Sequence, residues 1–175
     1  MSAILKCFAV LVFFGCLVST FGVTQTITGR VMAVVDGDTL SVSAEGGIDM
    51  RVGLFGIYCP EVDQGFGIRA REYTARMVFQ KQVLIRTRGK DQDGRILGEV
   101  VLADGRSLNE VLVNEGLAWW YPEHAPADFR FRDAEARAHK EKRGLWAEAN
   151  PIPPWDWRKA KAEKHKHPKR GRSGK

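Results

Sequence analysis

Cysteine is scarce in this chain of 175 residues, and its placement excludes more than its number does. Two of the three cysteines, Cys7 and Cys16, lie in an apolar leading stretch, so removal of that stretch leaves Cys59 alone. A single thiol cannot form a disulfide within the mature chain. The four histidines, at 124, 139, 165 and 167, all lie far from Cys59 in sequence, so no motif pairs the thiol with an imidazole base. Cys59 is therefore expected to be a packed residue of a turn rather than a nucleophile. Internal repeats are absent as well, which excludes a solenoid or propeller.

Charge is missing from the start of the chain, where Lys6 is the only charged residue before Arg30. Residues 7–23, CFAVLVFFGCLVSTFGV, are almost wholly apolar. A positive start, an apolar run and small residues near Ser19, Thr20 and Gly22 have the form of a secretory signal. Residues 1–23 are therefore expected to be an export signal, placing the protein in a periplasmic or secreted location. The alternative is an uncleaved N-terminal membrane anchor, since the run approaches the length of a spanning helix.

What charge there is lies unevenly. The chain carries +6 overall, but residues 158–175, RKAKAEKHKHPKRGRSGK, carry +8, leaving −2 for the remainder. This end is rich in Lys and poor in apolar residues, so 158–175 is expected to be a disordered basic tail suited to a polyanion. Before it, PIPPWDW (151–157) belongs to an extended Pro/Trp-rich segment over 149–157.

Between these ends the pattern is that of one small domain, 24–148. Thr26 to Val35 is rich in β-formers, Asp36-Gly37-Asp38 signals a turn, and Thr39 to Ala44 alternates. A third strand is expected over Ile48 to Ile57, an amphipathic helix over 65–80, and two further strands over Lys81 to Arg88 and Arg95 to Leu102. Ser107 with Glu110 three residues on forms a capping box that opens a helix stopped by Gly116. A charged helix follows over Ala127 to Arg143. Five strands and about three helices give an α+β, mainly β, domain, best matched by a closed five-stranded OB-fold barrel.

Five segments then occur in order: VVDGDTL (34–40), GIYCPE (56–61), DGRILGEVVL (93–102), SLNEVLVNEGLAWW (107–120) and AEARAHKEKRGLW (134–146). Together they resemble the staphylococcal nuclease-like (thermonuclease) family across about residues 26–148. The resemblance implies the same barrel, a calcium ion, and hydrolysis of phosphodiester bonds in DNA or RNA, with single strands the expected substrate and a monomer the expected state. It also implies roles. Asp38 falls on the first metal-binding carboxylate, with Asp36 beside it; Glu61 falls on the acid that activates or orients water; Arg95 falls on an arginine that holds the phosphate. The Cys59 backbone carbonyl is a further metal ligand on this basis.

Two positions depart from the family pattern. Tyr58 stands where the second metal carboxylate is expected, three residues before Glu61, and Gly53 stands where a second arginine is expected, eight residues before it. A phenol with a pKa near ~10 is neutral at working pH and a poor partner for a hard cation. Asp63 is the nearby candidate to substitute for it, the alternative being an ordinary exposed loop aspartate; Arg51, two residues before Gly53 on the same strand face, is the candidate substitute phosphate ligand, the alternative being an arginine at the barrel rim. Trp119, Trp120 and Tyr121 are candidates for stacking on bases. Two readings follow: a calcium-dependent nuclease with reduced activity, or a nucleic-acid-binding module that has kept the barrel and lost hydrolysis.

Overall fold

The computed structural model describes residues 25–166. The leader and the last nine residues therefore lie outside the described region. Three strands open the domain as a meander: β1 (Thr26–Asp36), β2 (Thr39–Ala44) and β3 (Ile48–Leu54). A two-residue strand β4 (Ile57–Tyr58) follows, then helix α1 (Gly67–Val78), strands β5 (Gln82–Lys90) and β6 (Ile96–Val101), and helix α2 (Leu108–Asn114). The chain ends with β7 (Trp119–Trp120), α3 (Phe129–Lys140), a 3-10 turn (Gly144–Ala147) and α4 (Pro154–Lys166).

The five long strands close into a barrel in the order β1-β2-β3-β6-β5. Every neighbouring pair is antiparallel except β3 and β6, which run parallel with Gly53 opposite Leu97. Alternation along the strands sends Val31, Leu40, Val42, Val52, Ile85 and Val100 into a fully buried interior. Leu108, Leu112 and Val113 of α2 and Phe131 of α3 extend the same core. The expected capping box is half present: the Ser107 hydroxyl accepts from the Glu110 N–H at 3.4 Å.

The third strand stops earlier than its apolar run suggests. Gly56 takes φ 76°, and a Cβ there would lie 2.7 Å from Ala125 and 3.1 Å from Phe131. The chain bends at this point, and Ile57 and Tyr58 leave the barrel to pair with Trp120 and Trp119. Buried Asn109 of α2 stabilises the bend, donating from Nδ2 to the Phe55 carbonyl at 2.9 Å and accepting from the Val100 N–H at 3.1 Å.

The C-terminal expectation needs correction more than any other. Residues 154–166 form α4, so the extended reading fails for 154–157 and disorder fails across 158–166. Pro154 occupies the first helical position, where its missing N–H costs nothing, and Asp156 sits in the favourable first turn. The Lys- and Ala-rich stretch beyond it has good helix propensity. Among the described residues no helix is long and apolar enough to cross a membrane.

Candidate active site

The turn between β1 and β2 is the foundation of the site. A Cβ at Gly37 would lie 2.6 Å from the Cys59 Cβ, 2.7 Å from its Sγ and 2.9 Å from the Ala70 Cβ, so only glycine lets the turn lie flat between the 59–66 loop and α1. Thr74 of α1 donates its hydroxyl to the Gly37 carbonyl at 2.8 Å, and Arg71 donates Nε to the Val34 carbonyl at 3.2 Å. Cys59 is buried, and burial, then the nearby Asp38 and Asp36, push its thiol well above the ordinary value. It is a packing residue, as its isolation in the sequence suggests.

Asp38 lies against protein except where it borders a narrow cleft shared with Gly53, Tyr58, Arg95, Leu97 and His124. Its Oδ2 accepts from the Cys59 N–H at 2.6 Å and its Oδ1 from the Thr39 hydroxyl at 3.2 Å. The Cys59 N–H thus faces Asp38 directly. Burial, reinforced by the negative charge of Asp36, raises the Asp38 carboxyl from 3.8 to about 8, against the opposing pull of the Cys59 and Thr39 bonds.

Arg95 reaches the same cleft from the turn before β6. Asp91 binds it twice, accepting from its backbone N–H at 2.9 Å and from Nε at 2.7 Å. Nη1 then donates to the Thr39 hydroxyl at 2.8 Å. Thr39, itself 1% exposed, therefore links the guanidinium to the Asp38 carboxylate. Gly53 makes room for this arrangement: a Cβ there would stand 3.1 Å from Arg95 Nε and 3.2 Å from Cζ.

Glu61 follows the Cys59-Pro60 step. Its N–H is held by Gln64 Oε1 at 3.1 Å, and Gly67 packs so closely that a Cβ would lie 1.8 Å from the Glu61 carbonyl. The carboxylate itself accepts from Arg158 Nη1 of α4 at 2.5 Å. Asp63 faces the same helix, receiving Trp157 Nε1 at 3.3 Å and an ion pair from Lys161, whose hydrogen bond draws its carboxyl below the ordinary range.

Tyr58 lies between the two groups of charges. Its ring packs edge-on against Tyr121 at 4.9 Å and Trp155 at 6.1 Å, with the Arg158 guanidinium 5.3 Å from its centroid. Burial raises its phenol above 10, so it remains neutral. The remaining candidates separate. Arg51 is exposed in an open groove with Lys90 and Arg95, beside the cleft that holds Asp38. Trp119 is buried with its ring 5.7 Å from Trp146, which corrects its reading as a stacking platform. Trp120 donates Nε1 to the Ala125 carbonyl at 3.0 Å, and Tyr121 is half-buried among Tyr58, His124 and Trp155.

The donors suit a hard divalent cation to a limited extent. Asp36 and Asp38 crowd two carboxylates into one turn, where a cation would relieve their repulsion. Among the described residues, however, no group of three acids, histidines or cysteines is placed to hold a metal. Sequence reasoning missed Thr39, Asp91, His124 and Arg158 as parts of this site. Asp91 was detectable, since it stands four residues before Arg95; Arg158 carried no local signal at all.

Comparison with known proteins agrees with this geometry. The family described as "Staphylococcal nuclease homologue" matches residues 51–148. A protein of Escherichia coli named as an uncharacterised endonuclease is 37% identical over 132 residues, covering 75% of this chain and 85% of its own. A Shigella flexneri protein named micrococcal nuclease is 34% identical over 141 residues, covering 75% and 80%. A staphylococcal-like nuclease of Arabidopsis thaliana is 35% identical over 111 residues, covering 62% of this chain and 33% of its own. With the barrel, the Asp-Gly-Asp turn and Arg95 at one cleft, and matches of this extent, the chain belongs to the staphylococcal nuclease homologue family.

Proposed function

We propose that this protein is an exported nuclease that hydrolyses phosphodiester bonds in DNA or RNA, with single strands as substrate and calcium as its cation. The observation that carries this reading is the Arg95–Thr39–Asp38 chain of hydrogen bonds, which joins a phosphate-binding cation to a cation-binding carboxylate across one cleft. Relatives named as endonuclease and micrococcal nuclease support it. The uncharged apolar run at 7–23 supports export.

The division of labour follows from the chemistry. Hydrolysis builds negative charge on the oxygens of a five-coordinate phosphorus, and fixed cations lower that barrier most when they need no rearrangement. Arg95, already locked by Asp91 and Thr39, presents a planar fork to two phosphate oxygens. Glu61 orients the attacking water and accepts its proton. Asp38, with Asp36, would hold the cation, which supplies further charge neutralisation at the phosphate when bound. Tyr58 adds no charge, so activity below that of a two-carboxylate site is expected.

A second reading has its own observation: the Glu61 carboxylate is occupied by Arg158, which suits a binding module without hydrolysis. Incubating the purified protein with end-labelled single-stranded DNA and RNA, in calcium or EDTA, separates the two. Calcium-dependent cutting that disappears in Glu61→Gln supports the nuclease; tight binding with no cutting in either buffer refutes it.

A further inference from the structure

Helix α4 lies beyond the region matched by the family, residues 51–148, yet it meets the site at several points. Trp155 packs against Tyr58, Trp119 and Tyr121, at 6.1, 6.5 and 5.2 Å between ring centroids. Trp157 and Lys161 both bind Asp63, and Gln64 donates to the Ile152 carbonyl just before the helix. These contacts seat the helix on the loop that carries Glu61. Arg158, between the two tryptophans and Lys161, is set down beside that carboxylate.

Position 53 itself provides no second cation. Gly53 has no side chain, and the Arg95 guanidinium fills the space where one would begin. Arg51 opens on the neighbouring groove. Arg158 has what is missing. Nη1 is fixed on Glu61, the guanidinium lies over the Tyr58 ring, and among the described residues Nε and Nη2 have no hydrogen-bond partner. Its side chain is 48% exposed, so those donors are open to a ligand. A guanidinium held on one edge and open on the other is prepaid in orientation, which lowers the entropy cost of each new hydrogen bond.

We propose that Arg158 is a phosphate-binding residue of this active site, brought in by α4 to provide the cation that position 53 lacks. The proposal deepens the nuclease reading above and rests on it for the identity of the ligand. A helix that merely blocked the cleft would make the opposite predictions.

The test uses the full chain and three variants, Arg158→Gln, Arg158→Lys and Lys159→Gln. The last removes the same charge from the same helix at an exposed residue without contacts to the loop. Affinity for a short single-stranded phosphorothioate DNA and cutting of the ordinary phosphodiester are measured, each in calcium and in EDTA, with thermal melts confirming the fold. Arg158→Gln should weaken binding at least about tenfold and slow cutting further, by about 10²-fold. Arg158→Lys should recover part of the affinity, and Lys159→Gln should match the parent. Equal binding by Arg158→Gln and Lys159→Gln overturns the proposal, as does tighter binding or faster cutting by Arg158→Gln. A parent that binds with this pattern but does not cut defeats the nuclease reading and leaves the Arg158 assignment standing. A parent that cuts as well as Arg158→Gln does the reverse.

Discussion

The Thr39 hydroxyl is 2.8 Å from Arg95 Nη1 and 3.2 Å from Asp38 Oδ1, accepting from the first and donating to the second. One buried threonine thus orients the two charged groups of the cleft. Replacement by valine keeps the shape and the β-branched preference for a strand while removing both bonds. Thr39→Val should cost about 1–3 kcal/mol of stability and lower cutting by about tenfold or more through the loosened arginine. Urea unfolding and single-turnover cutting measure the two effects separately.

The Asp38 carboxyl, raised from 3.8 to about 8 by burial and by Asp36, makes stability depend on pH with a definite sign. Between those values the folded chain retains a proton that the unfolded chain has released. Stability therefore falls as pH rises through this window and levels off above about 8. Asp38→Asn should flatten the profile. Calcium should raise the melting temperature of the parent more at pH 8 than at pH 6, because at the higher pH it has less of a proton to displace. A melting series across pH with EDTA and with calcium checks both statements.

Gly53→Arg is the obvious repair of a missing arginine, and the packing argues against it. Even Gly53→Ala places a methyl 3.0 Å from Leu97 and 3.1 Å from Arg95 Nε. Because Asp91 and Thr39 hold that guanidinium in place, the strain falls on the arginine. Gly53→Ala should reduce cutting by about tenfold while costing no more than about 1–3 kcal/mol of stability. Gly53→Arg should be less active than the parent, alone or with Tyr58→Asp. Recovery of activity in either variant would contradict this account of position 53.

Cys59 should be inert in the folded protein. It is 4% exposed and its thiol is held well above the ordinary range, first by burial and then by Asp38 and Asp36. Alkylation by iodoacetamide, followed by peptide mass spectrometry, should find Cys59 unmodified in buffer and fully modified in denaturant. Substantial labelling without denaturant would mean that the Gly37 turn opens.

The strand pattern of residues 26–54 was readable because alternation and turn residues are local signals, and the Ser107 cap was readable for the same reason. The Asp38 and Arg95 positions followed from the family resemblance carried by five segments in order, not from either local motif alone. The rest was obscured by distance along the chain. Arg158 and Glu61 are separated by 97 residues, and the proline- and lysine-rich composition around Arg158 reads as an open tail. What makes that stretch a seated helix is tertiary: Trp155 on Tyr58, and Trp157 and Lys161 on Asp63. The same applies to Tyr58, whose departure from the barrel depends on a bend at Gly56 against Ala125 and Phe131.

The parallel pairing of β3 with β6 has a kinetic consequence. It is one of two long-range seams that close the barrel, the other being β1 with β5, and it joins segments more than forty residues apart, from Val52 opposite Ile96 to Leu54 opposite Gly98. Arg95 sits immediately before that seam, while Thr39 lies opposite Gly53 on its other side. A refolding chain can therefore complete its helices and outer hairpins and still be unable to cleave. Recovery of cutting during refolding should lag behind recovery of helical signal, making enzymatic turnover a clock for the completion of this seam.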